Sequence, residues 1–230
     1  MHRDASSTYG AGNASVGHAS MQRVIAWSWD QLETEQRRML GALTVFVGGF
    51  TATAAQVLTQ DESFDGAAAL DDLLAHSLVY SHGESETLRF GVYQPVREFA
   101  LQQMDAASLQ HWRLGLRTWA RAWTLAQPTP PSWPALRGEM PNLMAALRSA
   151  VEDGDNERAV EQFLAWRPWL EEVELPAQGL MSATAAVEAC ADPTLRARGH
   201  SALAALLFNA GQSHAALLHA DLGVWRDGLT

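Results

Sequence analysis

The sequence predicts a mainly α-helical protein, with helices around one β-hairpin in the first half and an array of helical hairpins in the second. Three observations carry this. Apolar residues recur at three- and four-residue steps along most of the 230 residues. The period shifts to two in only one place, "SLVYSHGESETLRFGVYQ" at 77–94. Two later stretches share a helix–glycine–helix layout. Placing Gly154 on Gly211 also puts Ala145 on Ala202, Ala146 on Leu203 and Ala159 on Ala216.

The elements follow in order. Residues 1–19, rich in Ser, Gly, Ala and Asn, have little to bury and read as a flexible leader. Met21, Val24, Ile25 and Trp29 mark one face of a first helix. "ETEQRRMLGALTVF" is the second, with Thr34 as its cap, Glu35 in its first turn and Met39, Leu40, Leu43 and Phe46 facing inward. In "VFVGGFTATAAQVL", Gly48 or Gly49 is expected to stop that helix in a left-handed conformation. Thr51 then caps a third helix from Ala52 to about Leu58, with Phe50 packing back onto it as a staple. A fourth spans Gly66–Ala75 with Leu70, Leu73 and Leu74 inside. Leu78–Tyr80 and Leu88–Tyr93 form the hairpin around a polar turn at 82–86, and Pro95 opens the next helix. Helices, hairpin and closing helix in this order describe a winged-helix-like module over residues 20–107.

Residues 108–138 read as a connecting helix, carrying Trp112, Trp119 and Trp123, and a proline-rich linker. The five prolines of "AQPTPPSWPALRGEMPN" rule out one continuous helix there. Residues 139–230 read as TPR-like helical repeats, expected to continue past Thr230 in a longer array. A small residue five positions after a turn glycine lets paired helices approach closely. The 57-residue spacing exceeds the roughly 34 of a tetratricopeptide repeat, so an intervening pair is expected to be degenerate or absent.

Chemistry is sparse. A phosphate-cradling loop needs about four residues between its first glycine and a Gly-Lys-Ser/Thr ending; Phe50-Thr51 follows Gly48-Gly49, and the chain has no lysine. His2, His18, His76, His82, His111, His200, His214 and His219 form no metal-binding spacing, and His214 and His219 fall on different helix faces. No Gly-x-Ser-x-Gly elbow is present. Glu171, Glu172 and Glu174 read as a solvated helix end, and the single Cys190 as a small buried residue near a helix terminus. No catalytic, cofactor-binding or metal residue is assigned, no cofactor is expected, and the chain is not read as an enzyme. The absence of a long apolar run or a signal-like leader predicts a cytoplasmic protein without membrane contact. The 20–107 module carries five arginines against twelve acidic residues, a net −7 within a chain of net −10. Its third helix has no arginine, and the hairpin turn carries Glu84 and Glu86. That balance argues against DNA, because binding begins with phosphate neutralisation.

Trp27–Asp30 "WSWD" with "LETEQRRML", then "FVGGFT" at 46–51, then Arg97-Glu98-Phe99-Ala100, together resemble a known arrangement. It is the region after the nucleotide-binding domain in bacterial STAND-class signal-transduction ATPases, the AfsR-like and LuxR-type transcriptional regulators. "EMPNLMAALRSAVEDGDNERAVEQFLA" resembles the start of their helical repeats, with Glu139 and Asn142 on the frequent E-x-x-N-L-x-A-A-L signature. The resemblance covers roughly residues 20–225 and includes no Walker lysine or acidic metal-binding strand. It implies a non-catalytic regulatory and protein-interaction segment, either within a larger regulator or standing alone. The winged helix would pack on a nucleotide-binding domain, in cis or in another protein, and relay a signal from repeats that take a protein or small-molecule effector. The family's phosphate-sensing histidine falls on Tyr93, beside Gln94, so a direct phosphate contact is not expected. The alternative is a DNA-binding winged-helix transcriptional regulator.

Overall fold

The computed structural model describes residues 11–60, 62–83, 88–128, 132–170 and 175–224, with backbone alone at 11–19 and 224. The chain is 77% helical, with eleven helices and one small antiparallel hairpin among the described residues. It forms two compact units. The first holds residues up to Thr44 and Gly49–Leu109, the second Val45–Gly48 and everything from Gln110.

The first unit contains α1 (Ala11–Gln31), α2 (Thr34–Leu43), α3 (Ala52–Thr59), α4 (Gly66–Ala75), β1 (Val79–His82), β2 (Arg89–Val92) and α5 (Gln94–Gln103). Helical backbone in α1 reaches back through residues 11–19, read above as leader; residues 1–10 lie outside the described residues. The apolar face of α1 sits further along than its periodicity suggested. Ile25 is buried, as is Leu32 just past the helix end, whereas Met21 and Val24 are exposed. The helix packs on α5, with Trp29 edge-on against Phe99 at 5.8 Å.

Helix α2 also starts and stops differently from the reading. Its cap is Glu33, one residue before Thr34, and the Glu33 N–H donates to Gln36 Oε1 at 2.9 Å. Its end needs no glycine. Thr44 keeps right-handed helical geometry, and its otherwise orphaned carbonyl accepts from Arg97 Nη1 at 2.6 Å. Gly49 takes its left-handed φ of 74° five residues further on, where a Cβ would lie 2.7 Å from the Phe90 carbonyl oxygen. This close approach lets Phe50 and Phe90 exchange two backbone hydrogen bonds, of 2.9 and 2.7 Å, and stack their rings at 5.9 Å. Phe50 therefore extends the β1–β2 hairpin by a third, one-residue strand. Thr51 caps α3 by accepting from the Ala54 N–H at 3.1 Å, and Asp65 caps α4. Met39, Leu40, Leu43, Phe50, Leu73 and Ala100 form the centre of this core.

The second unit contains most of α6 (Ala106–Ala126), then α7 (Trp133–Glu152), α8 (Asn156–Leu170), α9 (Ala177–Ala189), α10 (Pro193–Asn209) and α11 (Ser213–Val224). Helix α7 packs on α8 and α9, α8 on α9 and α10, and α10 on α11. The proline-rich stretch is more helical than its composition implies. Helix α7 begins at Trp133, places Pro134 in its first turn and runs through Pro141. Pro134 costs nothing there, since a first-turn N–H has no intrahelical partner. The Pro141 ring packs against Gly48, where a Cβ would sit 2.8 Å from it. Beside it, buried Asn142 accepts from the Gly48 N–H at 3.0 Å and donates to buried Glu139 at 2.7 Å. The two signature residues thus hold the backbone at 48 rather than meeting solvent.

The 57-residue correspondence survives in three dimensions. Gly154 and Gly211 have φ of 76° and 74°, and each turn closes with the same pair of bonds. The Gly154 N–H reaches Val151 O and the Asp155 N–H reaches Ala150 O; the Gly211 N–H reaches Phe208 O and the Gln212 N–H reaches Leu207 O. Ala159 and Ala216 are buried, as close helix pairing requires. Between the two hairpins the described residues hold a single helix, α9, in place of a pair. Among the described residues no helix is long and apolar enough to cross a membrane.

Candidate functional site

In the second unit a row of arginine–carboxylate pairs lines α6. Arg113, Arg117 and Arg121 recur every fourth residue and so share one face of that helix. Each meets a carboxylate. Arg113 pairs with Glu152 at 3.0 Å, Arg117 with Asp153 at 2.5 Å, and Arg121 with Glu161 at 3.1 Å. The middle pair is the sheltered one, with side chains 11% and 15% exposed, and Arg117 Nε has no acceptor among the described residues. The Arg121–Glu161 pair is 59% and 50% exposed and contributes little to stability.

Two cavities flank this face. One, of about 340 Å³, lies over α6, α7 and α8, with Arg117, Arg121 and Arg158 on its walls and Ala146, Leu147 and Ala150 beneath. The other, of about 300 Å³, adjoins Leu125, Ala165, Leu195 and Arg198. Arg121, Glu161 and Gln162 line both, so the two form one elongated groove divided by a side-chain pair. Its floor is fixed by packing below. Buried Trp166 and Gln162 both donate to Thr124 Oγ1, at 3.1 and 2.9 Å, which ties α8 to α6. The sequence holds a signal for this site, a four-residue arginine stripe in an acidic chain, that composition and motif spacing do not single out.

Other residues singled out from sequence fall elsewhere. Tyr93 stands at the start of α5, just past the end of β2, half exposed and tilted against Tyr80 at 4.7 Å. Arg97, one turn on, has its guanidinium pKa lowered by burial. Cys190 is buried at the end of α9, and burial pushes its thiol pKa up, the behaviour of a packed residue. Glu171, Glu172 and Glu174 lie outside the described residues. His214 and His219 do not come together; His219 instead meets His200 across the α10–α11 hairpin, with Nδ1 atoms 2.9 Å apart and rings stacked. Burial, then His219 and Arg196, hold the His200 pKa below its ordinary value. Among the described residues no group of three or more His, Cys, Asp or Glu has the arrangement to hold a metal.

Compared with models of protein families, with curated proteins and with solved structures, the chain has no significant match.

Proposed function

We propose that the chain is a non-catalytic regulatory and protein-interaction segment, a winged-helix relay joined to a TPR-like sensing array, as in STAND-class signalling ATPases. One observation carries the reading. The Phe50–Phe90 bridge adds a short first strand to β1 and β2. With α2 before that strand and α3 and α4 between it and β1, the order is helix–strand–helix–helix–hairpin, that of a winged helix. In such a module α4 occupies the place of a DNA-reading helix. Here its cap is Asp65, Asp71 and Asp72 are exposed on it, and it has no arginine. Such a surface repels phosphates and suits a protein partner. The Gly48–Thr51 amides support the same conclusion. Gly48 N–H is held by Asn142 and Phe50 N–H by Phe90, so neither is offered to a nucleotide phosphate.

The test is fluorescence anisotropy with random duplex DNA near physiological salt, alongside titration calorimetry with ADP. Neither ligand is expected to bind appreciably, and no ATP hydrolysis is expected. Duplex binding that weakens steeply with added salt promotes the DNA-binding regulator; low-micromolar ADP binding sinks the absence of a phosphate site.

A further inference from the structure

The groove along α6 and α8 has length, charge and a floor, and each narrows what fits. Its lining on α6 runs from Leu114 in one cavity to Leu125 in the other. At about 1.5 Å per helical residue this is roughly 16 Å, the reach of about five residues of extended chain at about 3.3 Å each. Arg117, Arg121, Arg158 and Arg198 line it against Asp155 and Glu161, a net +2 inside a chain of net −10. The arginines are spread along its whole length. An amphiphile with one anionic head would leave an arginine-bearing tail end unmatched. A chain with anionic groups at intervals, and apolar side chains over the alanine-rich floor, matches both cavities.

The geometry points to an extended acidic peptide, about five residues long with acidic and apolar side chains alternating, as the ligand of this groove. The inference deepens the reading of the second unit as the sensing array and rests on it. Arg121 is the pivot. Its exposed pair with Glu161 is weak, and an incoming carboxylate exchanges for Glu161 and joins the two cavities. Arg117 stays with Asp153 and supplies field rather than a displaceable contact. Arg158, 73% exposed, and Arg198 meet the flanking acidic groups.

Fluorescein-labelled Glu-Leu-Glu-Leu-Glu, titrated with the full chain and followed by anisotropy, tests this against Gln-Leu-Gln-Leu-Gln. The acidic peptide is expected to bind one-to-one, to weaken with salt, and to exceed the glutamine peptide by at least tenfold. Arg121→Gln and Arg158→Gln should each weaken it at least fivefold while melting like the parent chain. Equal binding of both peptides, or arginine variants without effect, overturns the proposal. So does saturable binding of octanoate without the peptide, which would assign the groove to a small organic acid. A peptide failure leaves the DNA and ADP results untouched, so the proposed function and this ligand fail separately.

Discussion

Two kinds of glycine corner turn this chain, and they do so for different reasons. At Gly154 and Gly211 the backbone is left-handed, yet an added Cβ would meet nothing within 4 Å. These turns need glycine for its conformational freedom alone. At Gly48-Gly49 the space is already taken, by the Pro141 ring on one residue and the Phe90 carbonyl on the next. A glycine in a sequence therefore signals a turn at one site and a crowded backbone crossing at another. The flanking residues distinguish them: Phe50 and Thr51 follow the crowded pair, and polar residues with open space follow the others.

Breaking the crowded corner should cost most. Phe50→Ala removes a fully buried ring and is expected to lose about 3–5 kcal/mol in chemical denaturation. A loss below about 0.5 kcal/mol would mean that Phe50 does not anchor this corner. Gly49→Ala comes next, at about 2–4 kcal/mol, because left-handed strain adds to overpacking against a carbonyl. Gly154→Ala carries the strain without the clash and should cost about 1–2 kcal/mol. Should the two glycine variants prove equal, the distinction between the corners is lost. Thr51→Ala deletes a cap and should cost about 0.5–2 kcal/mol, always less than Phe50→Ala.

The smallest effect sharpens the comparison at the open turn. His200 has its pKa lowered in the folded state, so on acidification the unfolded chain takes up that proton first. The stability carried by the neutral imidazole is thus complete above the ordinary histidine range and declines as pH falls below about 6.5. Burial, then His219 and Arg196, disfavour the imidazolium, whereas Glu188 favours it and limits the decline. The denaturation midpoint should drop from pH 7.5 to 5.5, with a shallower slope in His219→Ala. An unchanged slope would show that His219 does not help to hold the His200 pKa down.

Much of the fold could be read from local chemistry. Helix α4 and the Thr51 cap match their expected places because capping and period are properties of neighbouring residues. Failures came where a distant partner decides. Helix α2 ends on Arg97, 53 residues away from Thr44, and Gly48 is held by Asn142, 94 residues away. No window of local sequence contains either pair. The groove was half legible: the four-residue spacing of Arg113, Arg117 and Arg121 was visible, but the cavity beside it depends on where α8 lies. The His200–His219 pair needed the α10–α11 hairpin to be folded about Gly211 before the two rings could meet.

The lone helix α9 has a consequence for symmetry. Short connections make consecutive packed helices run in opposite directions, so a pair-by-pair array keeps every like turn on the same edge. An odd number of helix-to-helix steps between like positions reverses that parity. From α7 to α10 the count is three, which sends the Gly154 and Gly211 turns to opposite edges of the array although they are near copies. Duplicated local structure here does not give a duplicated surface. Asp155, just before α8, and Arg158, in its first turn, line the groove; their counterparts Gln212 and Ala215 at the start of α11 present a different chemistry.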